Sequence, residues 1–228
     1  EMDSKELRRF NILTKPIFPL LIKMSIPTII GMLVSVIYNV TDTFFVGRLH
    51  NRSMIAAIGV VFSFISIIQA IGFWFGYGSG NAMSKKIGEQ DYAEAETISS
   101  IGLVLAIITG IVIAIAASIF ILPLSKLIGG SASQDVLTFT VQYLRIIIIS
   151  IPFSLYALTV YNQLRLCGNV RDGMIGLLSG MLSNMVLDPV LMFVFKQGFI
   201  GAGYATLIGQ IIGCVVLTLL AKRHEERQ

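Results

Sequence analysis

The chain has 228 residues, of which 55% are hydrophobic and only 13% are charged, and its net charge is +4. A soluble domain carries roughly 25% charged residues, so this composition excludes an ordinary soluble protein and is typical of a chain that crosses a membrane several times. The positive charge does not indicate nucleic-acid binding, because no basic run is interleaved with aromatic residues. Cys167 and Cys214 lack the spacing of a metal site and are not expected to form a disulfide. No cofactor is expected.

Several apolar runs are long enough to cross a bilayer, which requires about 20 residues. In chain order, six runs lie at 17–47, 54–84, 97–122, 136–164, 172–196 and 199–221. The predicted fold class is therefore an all-α membrane protein, a bundle of six transmembrane helices. We divide the chain into a cytoplasmic amino-terminal segment at 1–16, a six-helix transmembrane lobe at 17–221, and a cytoplasmic tail at 222–228.

The distribution of Lys and Arg predicts the orientation of these spans. The two termini and the second and fourth linkers hold eleven basic residues, whereas the other three linkers hold four. Cytoplasmic loops are enriched in Lys and Arg, so both termini are expected to be cytoplasmic. We expect an integral protein of the plasma (inner) membrane. Arg145 lies inside the fourth span and is expected to reach outward or to pair with an acid.

Two acidic residues, Asp42 and Asp188, fall inside the predicted spans, whereas the other eleven lie at the ends or in polar loops. A carboxylate in hydrocarbon is costly, so an acid kept there is a candidate for a functional site. Given the predicted orientation, both acids lie in the outer half of the bilayer. The fourth and sixth spans bring Tyr143 and Thr206 to a similar depth.

Helical spacing adds polar neighbours to both acids. Asn184 shares a helix face with Asp188, and Asn39 shares one with Asp42. An acid beside an amide and a hydroxyl can hold a proton, and the same oxygen atoms suit a hard cation such as sodium. Asp42, Asp188 and Asn184 are therefore the candidate ion-coupling residues.

Polar residues inside a bundle also have a structural interpretation, because interhelical hydrogen bonds commonly join transmembrane helices. We favour that interpretation for single amides such as Gln69, Gln163 and Gln210. The ladder of Gly72, Gly76 and Gly80 is likewise interpreted as a close helix contact.

Three segments resemble motifs of the multidrug and toxic compound extrusion (MATE) family. The first is Ile26-Pro27 followed by Tyr38-Asn39-Val40-Thr41-Asp42-Thr43-Phe44-Phe45-Val46-Gly47-Arg48-Leu49, which is similar to the family's first helix. The other two are Asn184-Met185-Val186-Leu187-Asp188-Pro189 and Gly201-Ala202-Gly203-Tyr204-Ala205-Thr206, which resemble its fifth and sixth helices.

The resemblance implies antiport of organic, often cationic, drugs against protons or sodium. It assigns coupling roles to Asp42 and to the pair Asn184 and Asp188, with Tyr143 and Thr206 as supporting or substrate-binding residues. A sodium ion would bind at Asp42, Asn184, Asp188 and Thr206, with Asn39 as a supporting residue. Pro27 is a candidate for helix bending, because an internal proline removes a helical hydrogen bond.

Family members have about twelve helices in two similar lobes, and this chain matches the amino-terminal lobe only. The expected partners are the lipid bilayer, a small organic cation, and a second lobe supplied by a homodimer or by a separate chain. A truncated, non-transporting half is one alternative, and a lipid-linked oligosaccharide flippase of the same superfamily is another. An enzyme is not expected, because neither acid lies in the Gly-x-Gly-Asp element of intramembrane aspartyl proteases.

Overall fold

A computed structural model describes residues 6–7, 10, 12–13, 16–129, 133–196 and 198–226. Within these ranges the side chains at 24, 27–28, 31–32, 35, 38–39 and 223–226 are not described. The described residues form helices and no strand. The helices are α1 (Ile17–Gly47), α2 (Arg52–Gly88), α3 (Tyr92–Ile119), α4 (Ile121–Leu127), α5 (Gln134–Leu166), α6 (Val170–Pro189), which continues as a π-helical turn (Val190–Val194), and α7 (Phe199–Glu226).

Six of these helices are long, and the predicted all-α membrane fold is confirmed. Five spans within the described residues, in α2, α3, α5, α6 with its π-helical turn, and α7, are long and apolar enough to cross a membrane by length and composition. Helix α1 has 31 residues and is the sixth long helix, although some of its side chains are not described. The chain is an integral membrane protein.

Several helices begin before the apolar runs do, because a polar side chain caps each start. The side chain of Asn51 accepts a hydrogen bond from the backbone N–H of Ser53 at 3.0 Å, and α2 begins at the next residue after Asn51. Ser133 caps α5 in the same way, accepting from Val136 N–H at 3.2 Å. Such caps satisfy backbone donors that have no partner within the helix.

The third predicted span differs from the structure. Residues 97–122 were expected to form one helix, but α3 ends at Ile119 and the short α4 follows. Phe120 lies between them with φ −104° and ψ 30°, outside the helical region. Pro123 falls in the first turn of α4, where its missing N–H has no helical partner to lose.

Helix α6 changes its geometry beside Asp188. The α-helix ends at Pro189, and the chain continues as the π-helical turn Val190–Val194 before the loop to α7. Proline has no backbone N–H to donate to the preceding turn, so the regular helix cannot continue through it unchanged. π-helical turns are rare overall, and those that occur are frequently located at functional sites.

The glycine ladder of α2 packs against α5, as predicted. A Cβ atom at Gly72 would lie 2.8 Å from Leu158 Cδ1, and one at Gly80 would lie 2.9 Å from Leu166 Cδ1. The contacts advance in the same direction along both helices, so α2 and α5 run parallel. Helix α5 is central, because 61% of its most apolar stretch is buried, against 17% for α3. Helix α3 is therefore the more peripheral of the two.

Candidate functional site

Helices α1, α5, α6 and α7 converge on one buried polar cluster, hereafter the acid cluster. It consists of Asp42, Tyr143, Asn184, Asp188 and Thr206, each of which is less than 7% exposed. The structure thus brings together five of the seven residues that the sequence selected. The side chains of Asn39 and Pro27, the other two, lie outside the described side chains.

Asp42 is the centre of the hydrogen bonds in the acid cluster. Its Oδ2 atom accepts a hydrogen bond from Tyr143 OH at 3.0 Å and lies 2.8 Å from Thr206 Oγ1. Asn184 Nδ2 donates to Thr206 Oγ1 at 3.0 Å. Asp188 lies beside Asp42, so two carboxyl groups share one buried site.

Four oxygen atoms of the acid cluster have no hydrogen-bond partner within the described part of the chain. They are Asp42 Oδ1, Asn184 Oδ1, Asp188 Oδ1 and Asp188 Oδ2, and all four are buried. Buried polar atoms are nearly always hydrogen-bonded, so a group of orphaned acceptors requires an explanation. Carboxylate and amide oxygens accept hydrogen bonds or coordinate hard cations. The arrangement is suited to holding a proton between two carboxyl groups or a small cation among their oxygen atoms.

Thr206 has one hydroxyl proton and two acceptors within reach. Its Oγ1 atom is 2.8 Å from Asp42 Oδ2 and 3.1 Å from the backbone oxygen of Ala202, one turn earlier in α7. Asn184 already donates to this hydroxyl. The proton of Thr206 therefore completes only one of the two bonds at a time.

A cavity that is open to the outside of the lobe borders the acid cluster. Asp42 is the only acidic or basic residue among the described residues that line it, and half of the other lining side chains are Ile or Phe. The polar remainder of the wall consists of Gln69, Gln210, Ser150, Ser154, Tyr143 and Thr206. Ligand pockets commonly combine an apolar surface with a small number of polar groups, as this wall does.

Arg145 does not belong to the acid cluster. It lies two residues after Tyr143 on α5, but its side chain is exposed whereas Tyr143 is buried. Within the described part of the chain it forms no ion pair; the described pairs both involve Lys86. Of the two expectations for Arg145, pairing with an acid is therefore not seen among the described residues.

A helical membrane lobe with a buried acid pair beside an open cavity is consistent with a membrane transporter. The family model described as MatE matches residues 27–190 of the chain. The chain therefore belongs to the MatE family, whose members are transporters and not enzymes.

Similar proteins include multidrug exporters. The chain is 30% identical over 222 residues to the multidrug export protein MepA of Staphylococcus haemolyticus (strain JCSC1435), covering 97% of this chain and 49% of that protein. It is 28% identical over 225 residues to MepA of Staphylococcus aureus (strain MRSA252), again covering 49% of the relative. The chain spans about half the length of these curated relatives.

Solved structures of the family share the fold. One in the outward-facing conformation, a multidrug resistance MATE family transporter of the MOP superfamily, matches with a TM-score of 0.81 and 28% identity over 90% of this chain and 45% of that one. A MOP superfamily transporter from Pyrococcus furiosus Vc1 (DSM3638), described as having a binding pocket of reversed polarity, matches with a TM-score of 0.83 and 26% identity, covering 95% and 47%.

Sequence reasoning treated Gln69 and Gln210 as packing residues, whereas the structure places both on the cavity wall. The available signal was the four-residue spacing of Thr206 and Gln210, which puts them on one face of α7. Gln69 had no comparable signal, because none of the predicted site residues lies on α2.

Proposed function

We propose that this chain is the cation-binding lobe of a MATE-type exporter and couples the movement of a proton or a sodium ion to the export of organic cations. The observation that carries the proposal is the set of four buried, unpartnered oxygen atoms on Asp42, Asn184 and Asp188. A bound cation gives these acceptors the positive partner that the described side chains do not supply. Thr206 adds its hydroxyl oxygen, and Tyr143 holds Asp42 in place through its hydrogen bond.

Asp42 connects the ion site to the cavity. One of its oxygen atoms is bonded within the acid cluster, the other is unpartnered, and the residue also lines the cavity. A cationic substrate in the cavity is attracted to Asp42 only while that carboxyl group is charged and free of a bound cation. Substrate and coupling ion therefore compete for the same residue, and binding of one shifts the conformational equilibrium away from the state that binds the other.

Flippase activity toward lipid-linked oligosaccharides is less well supported. The phosphate groups of such a lipid would require basic residues in the cavity, and none of the described lining residues is Lys or Arg. Arg145, the only basic residue predicted in the middle of a span, is exposed and is not among them.

Export is proposed to require a second lobe, because the chain spans about half of its curated relatives. A second copy of the chain in the same orientation, or a separate chain, would complete a two-lobe cleft; parallel repeats of this kind occur in transporters. Mass measurement in lipid nanodiscs beside a proteoliposome efflux assay tests this requirement. A monomer that exports an organic cation on its own would overturn it.

The coupling proposal is tested by Asp42→Asn and Asp188→Asn in an assembly that transports. Each substitution preserves shape but removes a charge that the cation requires, so each is expected to abolish ion-driven efflux of an organic cation. Asp135→Asn, at an exposed acid in the first turn of α5, is the control and is expected to transport normally. Near-normal ion-driven efflux by both cluster variants would contradict the coupling role.

A further inference from the structure

We infer that the cavity is built for organic monocations that also carry an uncharged hydrogen-bonding group, and that Gln69 and Gln210 bind that group. The inference rests on the proposed function, in which Asp42 attracts the charge. It goes further by naming a second recognition element and the residues that form it.

Gln69 lies deeper in the cavity than the acid cluster. The contacts of Gly72 with Leu158 and of Gly80 with Leu166 both correspond to an offset of 86 residues between the parallel helices α2 and α5. Gln69 precedes Gly72 by three residues, so it lies level with residue 155 of α5. Tyr143, which contacts Asp42, is three turns nearer the outer end of that helix.

Gln210 reaches the same depth from the opposite wall. A Cβ atom at Gly203 of α7 would lie 3.1 Å from Ile146 Cδ1, which places these two residues level with each other. Gln210 follows Gly203 by seven residues and is therefore level with residue 153 of α5. Thr206, which bonds Asp42, lies one turn or about 6 Å nearer the outer end. The two amides therefore lie at a similar depth, nearer the inner end of the cavity than Tyr143 and Thr206.

Both amides are available to a ligand. Each side chain is half-buried and lines the cavity, and within the described residues neither amide has a hydrogen-bond partner. A glutamine side chain offers two donors and a carbonyl acceptor. A ligand that displaces water from these amides without bonding them leaves polar groups unpaired, which lowers its affinity.

The remaining wall defines the rest of the ligand. Phe62, Ile65, Ile68, Ile147 and Ile151 supply an apolar surface. Asp42 is the only charged residue among the described lining residues, so one positive charge is matched and a second is not. The ligand class is therefore an amphiphilic monocation with one amide, carbonyl or hydroxyl group.

Two matched probes test the inference by equilibrium binding to the purified chain in nanodiscs. (4-Acetamidobenzyl)trimethylammonium carries an amide about one helical turn from its charge, and (4-isobutylbenzyl)trimethylammonium is an apolar isostere. The measured quantity is the ratio of the two affinities, compared between wild type and variant, because this comparison cancels the difference in ligand hydration. Gln69→Leu and Gln210→Leu are each expected to shift the ratio roughly three- to tenfold toward the isobutyl probe.

Gln142→Leu, at an exposed glutamine of α5, is the matched control and is expected to leave the ratio unchanged. Thermal unfolding verifies that each variant is folded. An unchanged ratio in both folded cavity variants would overturn the inference. Asp42→Asn separates this result from the proposed function: it should weaken both probes equally, and undiminished binding of both would reject the cation site instead.

Discussion

Two buried polar regions of this lobe differ in how completely their hydrogen bonds are satisfied. Between α2, α3 and α5, Gln163 donates to Ser79 Oγ at 2.9 Å and accepts from Ser99 Oγ at 2.9 Å. In the acid cluster, both carboxylate oxygens of Asp188 lack a partner within the described residues. The first region, hereafter the Gln163 clamp, is complete without a ligand. The second retains buried acceptors without a donor among the described residues.

The difference separates structural from functional polar residues better than residue type does. A satisfied amide stabilises the packing of three helices and has no remaining capacity for a ligand. Unsatisfied buried acceptors reduce the stability of the empty fold, and a ligand that satisfies them recovers it. Removing the Gln163 clamp is therefore expected to lower the stability of the fold. Removing a carboxylate of the acid cluster is expected instead to abolish stabilisation by a cation.

The largest expected effect is the presence or absence of thiol labelling. It reports the side of the membrane on which two of the linkers lie. In a background of Cys167→Ser and Cys214→Ser, Asn51→Cys should react with an impermeant thiol reagent added outside, and Gln90→Cys should not. The expectation follows from the distribution of Lys and Arg, which places the linker containing Gln90 in the cytoplasm. The reverse pattern would place the acid cluster in the inner half.

The next effect concerns cation binding by the acid cluster. Sodium or acid should raise the unfolding temperature of the wild-type chain, because a cation at 100 times its dissociation constant stabilises the folded state by about 2.7 kcal/mol. Asp188→Asn should remain folded and lose this response. Asp135→Asn should keep it, and a full response in Asp188→Asn would indicate that the orphaned oxygens are not the binding site.

A substitution that crowds the contact between α3 and α5 is expected to change the free energy of unfolding by a comparable amount. A Cβ atom at Gly110 would lie 2.7 Å from Cα of Pro152, and backbone cannot move aside as a flexible side chain can. Gly110→Ala should lower the free energy of unfolding by about 1–3 kcal/mol, whereas Gly78→Ala, with nothing within 4 Å, should not. Equal unfolding temperatures for the two variants would show that the helices separate without cost.

Removal of the Gln163 clamp should have a smaller effect. Gln163→Leu leaves Ser79 and Ser99 without their side-chain partner and should reduce the free energy of unfolding by about 1–2 kcal/mol. Cation-dependent stabilisation should persist, because the acid cluster is untouched. Gln69→Leu, which breaks no described hydrogen bond, is the matched control, and an equal loss in both would remove the distinction between satisfied and unsatisfied amides.

The smallest effect is expected at the exposed ion pairs of the α2–α3 turn. Lys86 lies 3.3 Å from Glu89 and 3.5 Å from Glu94, and the hydrogen bond that it donates to Glu89, together with both negative charges, raises the pKa of Lys86. Any stabilisation from a raised lysine pKa is present below the ordinary value and is lost as the pH rises through the raised one. These groups are solvated, so Glu94→Gln should leave the unfolding temperature unchanged at neutral pH.

The helices and the acid pair could be predicted because each rests on a large local effect. Apolar length identifies the spans, and the cost of a buried acid isolates Asp42 and Asp188 from the other acids. Alternating spans then bring Tyr143 and Thr206 to the depth of the acids. None of these steps requires knowledge of how individual helices pack.

Other features depend on neighbours that the local sequence does not specify. Gln69 and Gln163 are the same residue in similarly apolar helices, yet one lines a cavity and the other joins three helices. The difference arises from which helices meet at each position. The π-helical turn after Pro189 is a further case, because the turn packs against α7.

Because the Thr206 hydroxyl has a single proton, it can donate to Asp42 or to the backbone oxygen of Ala202, but not to both at once. While Asp42 is a carboxylate, the hydroxyl donates across to α1, and the oxygen of Ala202 goes without that bond. When Asp42 carries its own proton on Oδ2, the carboxyl group becomes the donor and the hydroxyl is released to its own helix. The charge of Asp42 on α1 is therefore expected to determine whether Thr206 donates a hydrogen bond to Ala202 within the second turn of α7.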